Sequence, residues 1–99
     1  MPSIGVGVRF ETGQVVATKG VHHLMREDEA FRTFVDLSLV RHQKGDWGDV
    51  GPADREMNER ALVEGTRIFS AYVAKGQPKV WIITEEDRSA TTVLFPSEY

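Results

Sequence analysis

Nine residues in the middle of the chain, Lys44-Gly45-Asp46-Trp47-Gly48-Asp49-Val50-Gly51-Pro52, constrain the fold more than any other stretch. Glycines and aspartates at this density, closed by a proline, neither continue a helix nor fill a sheet interior, so regular structure must stop here and restart. Before the break, Phe31, Phe34, Val35 and Leu39 recur at the three- and four-residue spacing of an amphipathic helix within Val21 to Val40. A shorter helical turn is expected around Val21 to Met25, and Glu27, Asp28 and Glu29 fall near the positive N-terminus of the longer helix. After the break, Pro52 suits a first helical position, which has no amide partner to lose. Met57, Ala61 and Leu62 give that helix its apolar stripe, and Gly65 ends it.

The rest of the chain is strand-like. Arg67 to Ala74, Lys79 to Thr84 and Ala90 to Phe95 are rich in β-branched and aromatic residues, separated by Lys75-Gly76-Gln77-Pro78 and Glu85-Glu86-Asp87-Arg88-Ser89. Such short connections predict an antiparallel three-stranded meander. At the other end, Val6, Val8 and Phe10 alternate within Ile4 to Phe10, and Glu11-Thr12-Gly13 turns the chain into Gln14 to Ala17, which predicts a short N-terminal hairpin or strand. The expected fold is α+β: this N-terminal strand region, two to three helices, then the C-terminal meander in one sheet. Without repeats or linkers, residues 1–99 read as a single α+β domain. Its core should hold Phe31, Phe34, Val35, Leu39, Ile68, Val80, Ile82 and Val93.

Composition narrows the function classes. The formal net charge of −3 gives no broad electrostatic footprint for nucleic acid, so nucleic acid is a possible but not a favoured partner. Cysteine is absent, which removes disulfides, thiolate metal sites and a cysteine nucleophile. No basic n-region with a long apolar run opens the chain, and no stretch of ~18 apolar residues occurs, so a cytoplasmic protein without membrane contact is expected. Neighbouring His22 and His23 would point in different directions from a helix, so neither a metal nor another cofactor is expected.

Arg41-His42-Gln43-Lys44-Gly45-Asp46-Trp47-Gly48, Phe69-Ser70-Ala71-Tyr72, the run Trp81-Ile82-Ile83-Thr84-Glu85-Glu86-Asp87-Arg88-Ser89-Ala90-Thr91-Thr92 and the final Pro96-Ser97-Glu98-Tyr99 resemble a family of short bacterial proteins found largely on plasmids and other mobile elements. The resemblance runs over nearly the whole chain from Phe10 onward. Some members carry a label linking them to type I restriction–modification systems. What the resemblance implies is an accessory or interaction protein of a mobile element, with an unidentified protein as partner.

Two groups of residues invite a chemical reading. His42 and Asp46 flank a glycine turn beside Trp47, which would set a general acid or base next to a stacking surface. Alternatively Asp46 caps backbone amides, Trp47 plugs the core edge and His42 ends the long helix. In the second group Arg88 could gather the hydroxyls of Thr84, Ser89, Thr91 and Thr92 around a phosphate. Its plainer alternative is a hairpin in which Asp87 and Ser89 satisfy the turn and Arg88 pairs with Glu85 or Glu86. Two functions follow. One is the non-catalytic accessory or interaction protein. The other is a small toxin-type ribonuclease of barnase-like or colicin-like arrangement, with His42 as acid or base, Arg88 on the phosphate, Ser70 or Thr91 orienting it and Tyr99 stacking.

Overall fold

The computed structural model describes residues 7–99. In chain order the elements are β1 (Gln14–Ala17), α1 (Lys19–Glu27), α2 (Glu29–Gln43), α3 (Pro52–Glu64), β2 (Ile68–Tyr72), β3 (Val80–Thr84) and β4 (Ala90–Leu94), closed by a 3-10 turn at Pro96–Glu98. The fold is α+β, with a four-stranded mixed sheet of order β1-β4-β3-β2. β2, β3 and β4 pair antiparallel in sequence, whereas β1 runs parallel to β4. The sheet is therefore not a three-stranded antiparallel meander beside an N-terminal hairpin.

The hairpin fails for a local reason. Ile4 to Val6 lie outside the described residues, and Gly7 to Phe10 form no strand. Instead the Arg9 amide donates to the Gln43 carbonyl at 2.8 Å, and Phe10 is buried against Trp47, Ala61 and Ile68. At Gly13 the backbone turns left-handed, φ 62°, so close to the Ser89 carbonyl that a side chain would collide with it. Only glycine permits that approach, and it delivers the chain alongside β4 rather than back on itself.

The helical stretch before the central turn is two helices. The extended Asp28, φ −137°, accepts the Phe31 amide on its carboxylate at 3.1 Å, which makes it the N-cap of α2 and the end of α1. The short turn expected at Val21 to Met25 is consequently a helix of nine residues. Pro52 opens α3 and Gly65 ends it, but the stripe between differs from the one expected. Met57 is 61% exposed, and the buried face carries Asn58 and Ala61. The Asn58 amide group bonds both backbone groups of Phe69, donating to its carbonyl at 2.6 Å and accepting its amide at 3.0 Å, so a polar residue takes the inward position. Met57→Glu is accordingly expected to leave stability within about 0.5 kcal/mol of wild type in a thermal melt.

Side chains of α1 and α2, chiefly Val21, Phe31 and Val35, pack on one face of the sheet against Tyr72, Val80, Ile82 and Val93. Ile68 joins a second cluster under α3 with Phe10, Trp47 and Ala61. Phe34 and Leu39, expected in the core, are only partly buried at its margin, because Phe31, Val35 and Ser38 hold the centre of the inward face of α2. The opposite sheet face presents Phe69, Trp81, Ile83, Thr92 and Leu94. The chain's last residues lie against that face, with the Tyr99 ring 5.7 Å from Trp81. No described helix is long and apolar enough to cross a membrane.

Candidate functional site

His42 lies in the last turn of α2 with no exposed surface, its ring between β2 and β3. Nδ1 meets Ser70 Oγ at 2.5 Å and Nε2 meets Thr84 Oγ1 at 2.8 Å. Thr84 Oγ1 contacts Thr91 Oγ1 at 2.6 Å, and Thr91 Oγ1 donates to the Thr12 carbonyl at 2.8 Å. That last bond fixes every proton in the chain. A carbonyl only accepts, so the Thr91 proton is committed to it, and Thr84 must donate to Thr91. Thr84 then accepts from Nε2–H, which leaves Nδ1 to accept from Ser70. The neutral Nε2–H tautomer satisfies all four groups, and among the described residues no buried side-chain nitrogen or oxygen lacks a partner. Burial, and secondarily the charge of Arg88, push the His42 pKa down to about 3.

Arg88 adjoins this network across one ring: Phe10 lies 5.1 Å from the imidazole and 5.8 Å from the guanidinium. Both of its Nη atoms donate to backbone carbonyls. Nη1 donates to the Thr66 carbonyl at 2.7 Å and the Glu85 carbonyl at 3.1 Å, and Nη2 to the Ala61 carbonyl at 3.0 Å. The guanidinium thus closes the C-terminus of α3, where a positive charge is favoured, and ties it to the β3–β4 turn. It bonds the carbonyls of Glu85 and Glu86 rather than their carboxylates. Arg88 also holds a left-handed backbone, φ 61°, unusual outside glycine. Arg88→Ala is expected to cost about 2 kcal/mol in chemical denaturation through the lost hydrogen bonds of a charged donor that joins the end of α3 to the β3–β4 turn.

The remaining candidates scatter. Ser70 and Thr91 join His42 inside the protein, and so does Thr84, which separates both threonines from any phosphate near Arg88. Thr92 points to the other sheet face, while Asp87 and Ser89 stay in the exposed turn, where the Asp87 carboxylate accepts the Ser89 amide at 3.0 Å. Asp46 bonds the Gly48 amide at 3.2 Å and, more strongly, Arg41 at 2.7 Å, which holds its carboxyl below the usual range. Trp47 is buried and donates from Nε1 to Glu59 at 2.8 Å, a carboxylate that also receives Arg9 at 3.0 Å. At Gly48, φ 72°, a side chain would strike the Ala71 carbonyl, so the turn can lie flush against β2 only with glycine there. His42 therefore neither ends its helix as a charged cap nor faces Asp46.

Tyr99 is far from this network in contact terms. It is 71% exposed, accepts a hydrogen bond from Arg67 at 2.9 Å, and lines a cavity of about 240 Å³ with Asp54, Arg67, Phe69, Trp81 and Ile83. Sequence reasoning missed Phe10 and Asn58, whose roles depend on long-range contacts that no local pattern marks, and missed the Arg67–Trp81–Tyr99 grouping. The register of β2 against β3 puts Phe69 and Trp81 on one face. Among the described residues no cluster of three or more His, Cys, Asp or Glu side chains is placed to hold a metal ion. Compared with known proteins, the chain matches no family model, no curated protein and no solved structure.

Proposed function

We propose that this chain is a non-catalytic interaction protein, an accessory of a bacterial plasmid or other mobile element, that holds a protein partner and turns over no substrate. The observation that carries this reading is that the two residues needed for phosphodiester chemistry are consumed internally. A general acid or base must exchange its proton with substrate or water. His42 has no exposed surface, a fully assigned hydrogen-bond chain and a pKa near 3, so at neutral pH it has no proton to lend. Arg88 would have to release the Thr66 or Ala61 carbonyl to turn both Nη atoms on a phosphate.

The surface that favours a partner is the sheet face around Trp81. Trp, Tyr and Arg are the side chains most enriched where protein interfaces concentrate their binding energy, and Trp81, Tyr99 and Arg67 meet there beside Phe69. The net charge of −3 offers no comparable attraction for a polyanion. Incubation of wild type, His42→Ala and Arg88→Ala with single-stranded RNA tests the choice between the two functions. Intact RNA throughout is expected; cleavage by wild type that both folded variants have lost would establish the ribonuclease instead.

A further inference from the structure

The two edges of the sheet are treated differently. Along β2, every outward-facing backbone group of the strand is occupied: the Asn58 side chain bonds both groups of Phe69, while the Trp47 carbonyl and the Asp49 amide bond those of Ala71 at 3.2 and 2.7 Å. A side chain and a turn thus close that edge against further pairing. Along β1 nothing comparable exists among the described residues. The Gln14 amide bonds the Ser89 carbonyl and the Thr18 amide bonds that of Val93, each at 3.0 Å, so the even-numbered residues address β4. Val15 and Ala17 must then turn their amides and carbonyls outward, and no described group meets them. β1 also lacks the usual protections of an exposed edge, since Gln-Val-Val-Ala contains no charge, proline or bulge, and Val15 and Val16 are 46% and 38% exposed.

We propose that β1 pairs antiparallel with β1 of a second copy of this chain, joining the two four-stranded sheets into one continuous sheet. This goes beyond the protein-partner reading and does not depend on it. The strand is its own complement. With Val16 opposite Val16 across a two-fold axis, Val15 faces Ala17 of the other copy in both directions. All the outward amides and carbonyls of those two residues are then used, by strand residues alone. Any charge on β1 would meet or flank its own like at such an axis; β1 carries none, so the pairing brings no repulsion. The register places Val15 with Thr91 and Ala17 with Val93 on the helix-covered side, and Val16 with Thr92 on the other. A two-fold axis perpendicular to the sheet preserves that division, so both helical layers lie on one side and both Trp81–Tyr99 faces on the other. Another protein's strand would also find donors and acceptors here, but self-pairing is favoured because the uncharged strand sets Val15 against Ala17 on both sides of Val16.

Mass measurement by light scattering from micromolar to millimolar concentration tests this on the full chain, with the wild type expected to approach twice the 11.1 kDa chain mass as concentration rises. Val15→Pro removes an amide that points away from β4, so it should abolish dimers while leaving the β1–β4 ladder intact. Val16→Lys and Val16→Glu should each be monomeric from like charges at the axis, and an equimolar mixture should return to dimer mass. A wild type that stays monomeric throughout, a Val15→Pro protein that still dimerises, or a charge-reversed mixture that does not associate would overturn the proposal.

Discussion

Trp47→Ala is expected to destabilise the protein by about 4 kcal/mol, against less than half that for Trp81→Ala. Trp47 is 1% exposed, its ring lies 6.1 Å from those of both Phe10 and His42, and its Nε1–H satisfies the Glu59 carboxylate that anchors Arg9. Truncation would therefore open a cavity where the N-terminal segment, the central turn and α3 meet, and would leave a carboxylate one donor short. Trp81 stands on the half-open face between Phe69 and Tyr99, and its removal empties less enclosed space. Urea denaturation of the two variants measures the difference. Equal losses would mean that the Trp81 face is as much core as the central turn, and would remove the support that its composition gives to a partner site. Emission of a variant retaining only Trp47 should be blue-shifted relative to one retaining only Trp81, for the same reason.

What was legible in the sequence was local. The glycine-rich break, the proline that opens α3, the glycine that ends it and the β-branched runs of β2, β3 and β4 all depend on neighbours within a few residues, so their signals lie side by side in the chain. The pairing of β1 was not legible, because Gly13 chooses between reversal and parallel addition by its approach to Ser89, some seventy-six positions away, and a Glu-Thr-Gly turn suits either outcome. Nor was the stripe of α3 legible at its first position, where Asn58 rather than Met57 faces inward because the edge of β2 needs a donor and an acceptor more than it needs bulk. At the candidate site the sequence marked His42, Ser70, Thr84, Thr91 and Arg88 as polar residues with chemical potential, and most of them do meet. Their meaning inverts because polar side chains that find one another inside a protein satisfy each other, whereas the same residues in a cleft would be left to act on a ligand.

Stability is expected to fall as the pH drops below 6.5, at about 1.4 kcal/mol per pH unit once well below it, and His42 is the reason. In the unfolded chain the imidazole takes up a proton near its ordinary value of 6.5, while in the native protein burial and Arg88 hold it neutral down to about 3. Between those values the unfolded state binds more protons, so acid favours unfolding. The full stability is present above pH 6.5, roughly 2 kcal/mol is lost by pH 5, and the decline from this group levels off only near pH 3. Asp46, Glu59, Asp87 and Glu98, whose carboxyl groups are all held below their usual range by hydrogen bonds, act in the same direction. They begin to do so only near pH 4 to 5, where unfolded carboxylates take up protons, so the interval from pH 6.5 to 5 isolates the histidine. His42→Leu should be less stable than wild type at pH 7, having taken from the Ser70 hydroxyl its ring acceptor and from Thr84 its ring donor, yet its stability should be nearly flat across that interval. Arg88→Ala should retain part of the slope with its lower limit moved to higher pH, since the repelling charge is gone and burial remains. A wild-type profile flat between pH 6.5 and 5, or a slope unchanged in His42→Leu, would mean that the imidazole reaches solvent. That result would restore His42 as a candidate proton donor in the ribonuclease reading.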